Sequence, residues 1–369
     1  MSRNVLLASS SQTIFVLDIP TSIEDGQGAG RLCSAAAPKL PYLTPEPKGR
    51  TREALLAKLP ADELAYHRDI QHGIEMAFAN VCDLSQWCLP RIVSNLTELS
   101  VLVPATESVE IDHNIPVVLS TGLNHFKVAA DIQNVLVSSN NEQSLVFLND
   151  KTTLLIPPSC HFIWSSISHA YLIMESYEAL TRQHLKFDLI LMDPPWANRS
   201  VRNSRSYSTI DYRSSDVFLE ALKIVKHCHA SHAYTAIWIT NKHIIRKHVL
   251  KSMQDLRFTL VEEWVWVKVT TKGEPVMSMD GLWRKPYELL LIFRHDIVPC
   301  TPLRRHIFAV PDLHSRKPNL RTLFDMIAIG PRRIELFARN LTSQWWCVGD
   351  EVLKYQDTNL WRIAQIVPV

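Results

Sequence analysis

The apolar run Phe187–Met192 ends on Asp193-Pro194-Pro195-Trp196, and this junction constrains the fold more than any other feature of the chain. A strand without polar alternation must be covered on both faces, as in a parallel sheet lying between layers of helix. Two consecutive prolines then remove ladder donors and fix φ, so the strand stops there. The turn is therefore presented at a strand's carboxyl end. Downstream the pattern alternates. Ser215–His227 carries Val217, Leu219, Ala221, Leu222 and Val225 at helical spacing. Ala233–Ile239 reads as a strand, and Asn241 as the cap of a helix running to about Met253. Phe258–Val269, Pro286–Arg294 and Arg333–Ala338 read as strands. A helix is predicted over Pro318–Ile329, with Pro318 in its first turn and Gly330 after its end. This alternation predicts a doubly wound α/β domain with its site at the strand carboxyl ends.

The chain ahead of this region is less regular. Residues 1–20 read as a short N-terminal segment, and 21–50, with Gly26, Gly28, Gly30 and four prolines, as a linker or loop. The Gly-x-Gly pattern there is not a nucleotide loop by this reading, because such a loop follows a strand and opens a helix. Residues 51–150 read as a mixed α/β accessory domain, helical from Glu53 to about Asn80, with short strands at Val101–Pro104, Pro116–Leu119 and Leu145–Leu148. Residues 151–369, beginning with a strand at Leu154–Ile156, form the expected catalytic domain. Seven scattered cysteines without a C-x-x-C pair suit a reducing compartment and argue against a zinc ribbon. His227, Cys228, His229 and His232 read as the charged end of a helix rather than a metal site. No apolar run is long enough to span a membrane, so a soluble, intracellular protein is expected. A formal net charge of +2 leaves any polynucleotide affinity to local basic patches.

The Asp-Pro-Pro-Trp turn suggests a specific chemistry. An exocyclic amine on a base is a poor nucleophile, since its lone pair is delocalised into the ring. The Asp193 carboxylate and the Pro194 carbonyl are two acceptors that would draw such an amine toward tetrahedral geometry. Pro195 stiffens the turn, and Trp196 offers a ring on which an extruded base can stack. The stretch FDLILMDPPW resembles the signature of the DPPW family of N6-adenine methyltransferases, whose best-known member writes N6-methyladenosine in messenger RNA. His314–Pro318 (HSRKP), Glu335–Asn340 (ELFARN) and Gly349–Gln356 (GDEVLKYQ) are similar to the branch called methyltransferase-like protein four. So are Asn198–Ser208, Trp238–Asn241 and Arg284–Glu288, and the resemblance runs from about Leu154 to Gln356.

That resemblance implies a circularly permuted Rossmann-like methyltransferase domain, with the catalytic strand early and the strand for the cofactor's adenosine late. It implies S-adenosyl-L-methionine as cofactor and no metal. Lys317, at the start of the Pro318 helix, is expected on the methionine carboxylate. Glu335, Arg339 and Asn340 are expected along the ribose and adenine. Asp350 and Glu351 stand where the family usually has Asn followed by Gln or Glu, so Asp350 keeps an acceptor and lacks the amide donor. The acid that usually reads the cofactor's adenine is replaced by Ser166, followed by Ile167, or else its place is taken by Glu175. Asn198, Arg199, Arg202, Arg205 and Tyr207 follow the catalytic turn as expected substrate contacts, with Lys285 and Tyr287 opposite. Thr270–Lys285 reads as a lid.

The expected function is S-adenosylmethionine-dependent N6 methylation of adenine in RNA, the branch resemblance pointing to an internal 2′-O-methyladenosine of small nuclear RNA. DNA adenine is the alternative substrate. A rival of another class is a non-catalytic RNA-binding subunit, against which the intact Asp193–Trp196, Lys317 and Arg339 argue. The nucleus is the expected location, with the cytoplasm as a further one. The accessory region can replace a partner subunit, so activity without an obligate partner is expected.

Overall fold

The computed structural model describes residues 2–28, 30–94, 115–149, 151–196 and 216–362. The chain opens with strands β1 (Val5–Ala8) and β2 (Ile14–Leu17), then α1 (Ile19–Gln27), β3 (Arg31–Ser34), α2 (Gly49–Leu56) and α3 (Ala61–Ala79). Next are the short strands β4 (Ile92–Val93), β5 (Val117–Val118), β6 (Gly122–Phe126), β7 (Leu136–Ser138), β8 (Ser144–Leu148), β9 (Thr152–Ile156) and β10 (His161–Trp164). Then come α4 (Ile167–Thr181), β11 (Phe187–Met192), α5 (Asp216–Cys228), β12 (His229–Ile239), α6 (His243–Asp255) and β13 (Phe258–Lys268). The chain closes with β14 (Tyr287–His295), β15 (Leu303–Ala309), α7 (Arg321–Met326), β16 (Arg333–Leu336), β17 (Trp346–Gly349) and β18 (Trp361–Arg362).

Twelve of these strands form one mixed sheet in the order β1-β2-β15-β13-β14-β12-β11-β16-β17-β10-β7-β5. From β12 to β10 five neighbours run parallel. β14 is antiparallel to β12 and β13, whereas β13, β15 and β2 run the same way as the parallel block. The β11 side chains split by alternation. Ile190 and Met192 join α3, α4, α5 and α6 on one face; Leu189 and Leu191 join α1, α7 and the small β6-β8-β9 sheet on the other. This double coverage is why β11 carries no polar alternation among its last four residues. The mixed α/β architecture therefore holds, with the large sheet at its centre.

Three expectations about organisation change. Residues 1–20 are part of the main sheet, since β2 pairs with β15 through Ile14–His306, Phe15–Ile307 and Val16–Phe308. Residues 21–27 are helix rather than linker. Asp18 caps α1 by accepting from the Thr21 backbone at 3.1 Å, and Gly28 ends it at φ 79°. Its buried polar residues hide the helix from a hydrophobic count; Glu24 among them accepts from Arg3 at 3.0 Å and Arg31 at 3.1 Å. The Gly-x-Gly pattern thus closes a helix. Residues 51–150 do not stand apart either, because Ile70, Ile74 and Ala77 of α3 pack into the main core. Val101–Pro104 lies outside the described residues.

Candidate active site

Because the parallel block and β13 and β15 share a direction, their carboxyl ends meet at one edge of the sheet. Asp193 leaves β11 there, Thr240 and Asn241 leave β12, and Lys268 ends β13. Glu288 enters on the antiparallel β14. Arg339 follows β16, Asp350 follows β17, and Ser166 follows β10. Two features tighten this edge. Phe337 turns the chain out of β16 at φ 59°, a left-handed conformation that side chains disfavour. Opposite it, a Cβ on Gly349 would sit 3.2 Å from Phe337 Cα and Ala338 N, so the two backbones approach closely only because residue 349 is glycine.

Asp193 is the centre of a charge network. Lys317 Nζ donates to its Oδ1 at 3.2 Å, and the Arg339 guanidinium lies 3.4 Å from its Oδ2. Lys317 Nζ also donates to Glu288 at 2.7 Å, and Lys268 Nζ meets the same carboxylate at 2.5 Å. Arg339 continues to Glu351 at 2.8 Å, which Lys354 holds at 2.6 Å. Each lysine on Glu288 also covers an indole: Lys317 lies 4.8 Å from the Trp238 ring centroid and Lys268 4.7 Å from that of Trp266. Burial opposes charge at Glu288, but the two lysines prevail and hold its carboxyl far below the ordinary range. Burial likewise opposes charge at Lys317, and Asp193 with Glu288 raises its pKa. Glu335, on β16, behaves oppositely: burial first, then the Asp193 charge, push it up to about 8. A cavity of about 1650 Å³ opens on Asp193–Trp196, with further walls from Tyr42–Pro45, α3 and Leu282–Lys285. The arrangement can hold a carboxylate on Lys317 and Arg339, and it presents acceptors to a planar amine beside them.

Comparison with known proteins gives this site its relatives. The MT-A70 family model matches residues 187–351. The N6-methyladenosine RNA methyltransferase MTA1 of Cryphonectria parasitica is 31% identical over 98% of this chain and 94% of its own length. The chain belongs to the MT-A70 family. The N(6)-adenine-specific methyltransferase METTL4 of Mus musculus is 30% identical over 78% of this chain and 63% of its own length. The DNA N6-methyl methyltransferase of Caenorhabditis elegans is 30% identical over 72% of this chain and 70% of its own length.

Within the MT-A70 frame, the structure brings Asp193, Lys317, Glu335, Arg339, Asn340, Asp350, Glu351 and Ser166 to one sheet edge. Ser165 N donates to Gly349 O at 3.3 Å, and the Trp164 indole to Asp350 O at 3.0 Å, which sets Ser166 beside Asp350. Ser166 caps α4 through His169 N, and Ile167 is buried below it. Glu175 lies more than two turns along α4, away from the edge. Burial, then Glu351, raise the pKa of Asp350. Several roles are corrected. The helix after Lys317 spans only Arg321–Met326, because Asn319 Oδ1 accepts from Arg321 N and Ala328 breaks the far end at φ 59°. Lys317 is therefore held by two carboxylates, not by a helix start. Trp196 is 4% exposed, donates to Trp238 O at 2.7 Å and tilts against Phe218 at 5.3 Å. Its ring packs into the core beside the cavity, where these contacts fix the turn. Pro194 O already accepts from Trp196 N at 2.8 Å, with its second lone pair left for a ligand. Asn241 does not cap α6; it donates to Tyr287 O at 2.6 Å. Tyr287 is buried with its hydroxyl 2.8 Å from His67 Nδ1, whereas Lys285 donates to Gly281 O at 2.9 Å on the cavity wall. Asn198, Arg199, Arg202, Arg205 and Tyr207 lie outside the described residues. Sequence reasoning missed Glu288 and Lys268 as a pair. Each flanks an apolar run at the same sheet edge, and that placement is the signal that could have found them.

Proposed function

We propose that the protein transfers a methyl group from S-adenosyl-L-methionine to N6 of adenine in RNA. The observation that carries this reading is the Asp193 carboxylate, held between Lys317 and Arg339 where a sheet edge opens on a cavity. The residues fit the cofactor. Lys317 and Arg339 suit its carboxylate; Glu335, Asp350 and Glu351 suit its hydroxyls and amine; and Asn340 Oδ1 is a buried acceptor with no hydrogen-bond partner among the described residues. Bound there, the cofactor supplies an electrophilic methyl group. Asp193 and the free lone pair of the Pro194 carbonyl hold the amine by its hydrogens, so the protein contributes orientation rather than a covalent intermediate. The relative named for RNA matches nearly its whole length, which favours RNA over DNA. The branch resemblance favours an internal 2′-O-methyladenosine of small nuclear RNA, methylated in the nucleus by this chain without a partner subunit.

The test is methyl-labelled S-adenosylmethionine with plain RNA, RNA carrying one 2′-O-methyladenosine, single-stranded DNA and duplex DNA, followed by nucleoside identification. Label on N6 of the 2′-O-methylated adenosine supports the full reading. Label chiefly in DNA keeps the chemistry and replaces the substrate. No label in any of them, with the cofactor bound, removes the unaided enzyme.

A further inference from the structure

With Trp196 turned inward, the cavity wall still carries an aromatic ring that faces solvent. Trp283 is 51% exposed, and among the described residues its indole makes no hydrogen bond, ring pair or cation contact. An exposed tryptophan on a loose loop would mean little, but this one is anchored. Glu46 accepts from Leu282 N at 2.8 Å and from Trp283 N at 3.4 Å. Arg52 donates to Asp280 at 3.0 Å, Tyr42 N to Val276 O at 2.7 Å, and Thr271 N to Pro38 O at 2.9 Å. The Thr270–Lys285 segment is thus strapped down along its length by residues 38–52, rather than free to act as a lid. Among the described residues, nine Lys and Arg against four Asp and Glu line the cavity, so its charge suits a polyanion.

We propose that Trp283 is the stacking platform for the base next to the target adenine in a single-stranded polynucleotide. This rests on the methyltransferase reading above. The platform accepts any base, because every base has a π face, and its fixed backbone lowers the ordering cost of binding. Arg284, exposed beside it, meets the adjoining phosphate.

The experiment measures KM and kcat on short single-stranded RNA whose one adenine is a 2′-O-methyladenosine, and on copies with an abasic site at either neighbour. Trp283→Ala is expected to raise KM about tenfold, with kcat and cofactor affinity unchanged and most of the loss recovered by Trp283→Phe. On the copy lacking the stacked base, wild type and Trp283→Ala should converge. An unchanged KM for Trp283→Ala, or an equal loss on every abasic copy, overturns the platform and gives the rim to a protein partner. If wild type binds cofactor yet methylates none of these, the reading as an unaided enzyme fails. Fluorescence anisotropy of the same labelled RNA then decides separately: binding that depends on Trp283 supports the platform, and absent or Trp283-independent binding overturns it.

Discussion

Asp193 at the open edge of the sheet and Glu263 within β13 each collect two cations, and they differ in what surrounds them. Glu263 is 2% exposed and fully engaged. Arg304 meets it at 2.9 Å, Arg246 at 3.4 Å, and the Tyr66 hydroxyl donates at 2.6 Å. Arg304 also reaches Asp69 at 2.7 Å, and Arg246 stacks 3.7 Å over Tyr66. That closed cluster fastens α3 and α6 to the sheet. Asp193 has longer contacts, 3.2 and 3.4 Å, and its partners keep other carboxylates of their own, Glu288 and Glu351. Removing Glu263 strands Arg246 and leaves Arg304 only an exposed partner, whereas removing Asp193 leaves Lys317 and Arg339 paired. The same residue types serve as a fastening where they are mutually satisfied and as a site where they are provisionally paired.

The largest expected effect tests the open cluster. Asp193→Asn keeps shape but loses the charge, and turnover should fall about a thousandfold with little change in melting temperature. A large loss of stability instead would break the distinction. Glu263→Gln should do the reverse, costing about 3 kcal/mol in denaturant unfolding while activity per folded molecule holds. The third test concerns protons. Glu335 is raised in the folded state to about 8 from an ordinary 4.5, so the native state holds the proton longer than the unfolded chain. Stability should therefore decline as pH rises between those values and level off above, a slope that Glu335→Gln should flatten in unfolding titrations across the window. His67 has the opposite sign. Burial and the Lys285 charge lower it from 6.5 to about 4, so its contribution is lost as pH falls through that range. The smallest effect is Tyr287→Phe, which deletes the bond to His67 and should cost about 1 kcal/mol without altering turnover.

The sequence was legible where physics repeats. β11, β13 and β14 announce themselves because both their faces are buried, and the Asp193–Trp196 turn follows from the prolines that end β11. The edge residues Lys317, Arg339 and Glu351 were singled out by resemblance, and the structure joins them to Asp193 in one charge network. Besides the Glu288–Lys268 pair, three things escaped. α1 buries Thr21, Ser22, Glu24 and Gln27, so its core side carries few of the large apolar residues that mark a helix in sequence. β1 and β2 have four residues each, too few for a period. The orientation of Trp196 depends on Phe218 and the Trp238 carbonyl, contacts that only the tertiary structure supplies.

The strap that Pro38–Arg52 lays across Thr270–Lys285 has an evolutionary consequence. The MT-A70 segment, residues 187–351, carries the Asp193 network to which we assign the methyl transfer, yet part of the cavity wall is encoded upstream of it. The segment is therefore not a cassette that can be moved into another protein with its selectivity intact. Conversely, drift in the codons for this strap can change which polynucleotide enters while the reaction itself goes untouched, so choice of target and capacity for chemistry can diverge at separate rates within one gene.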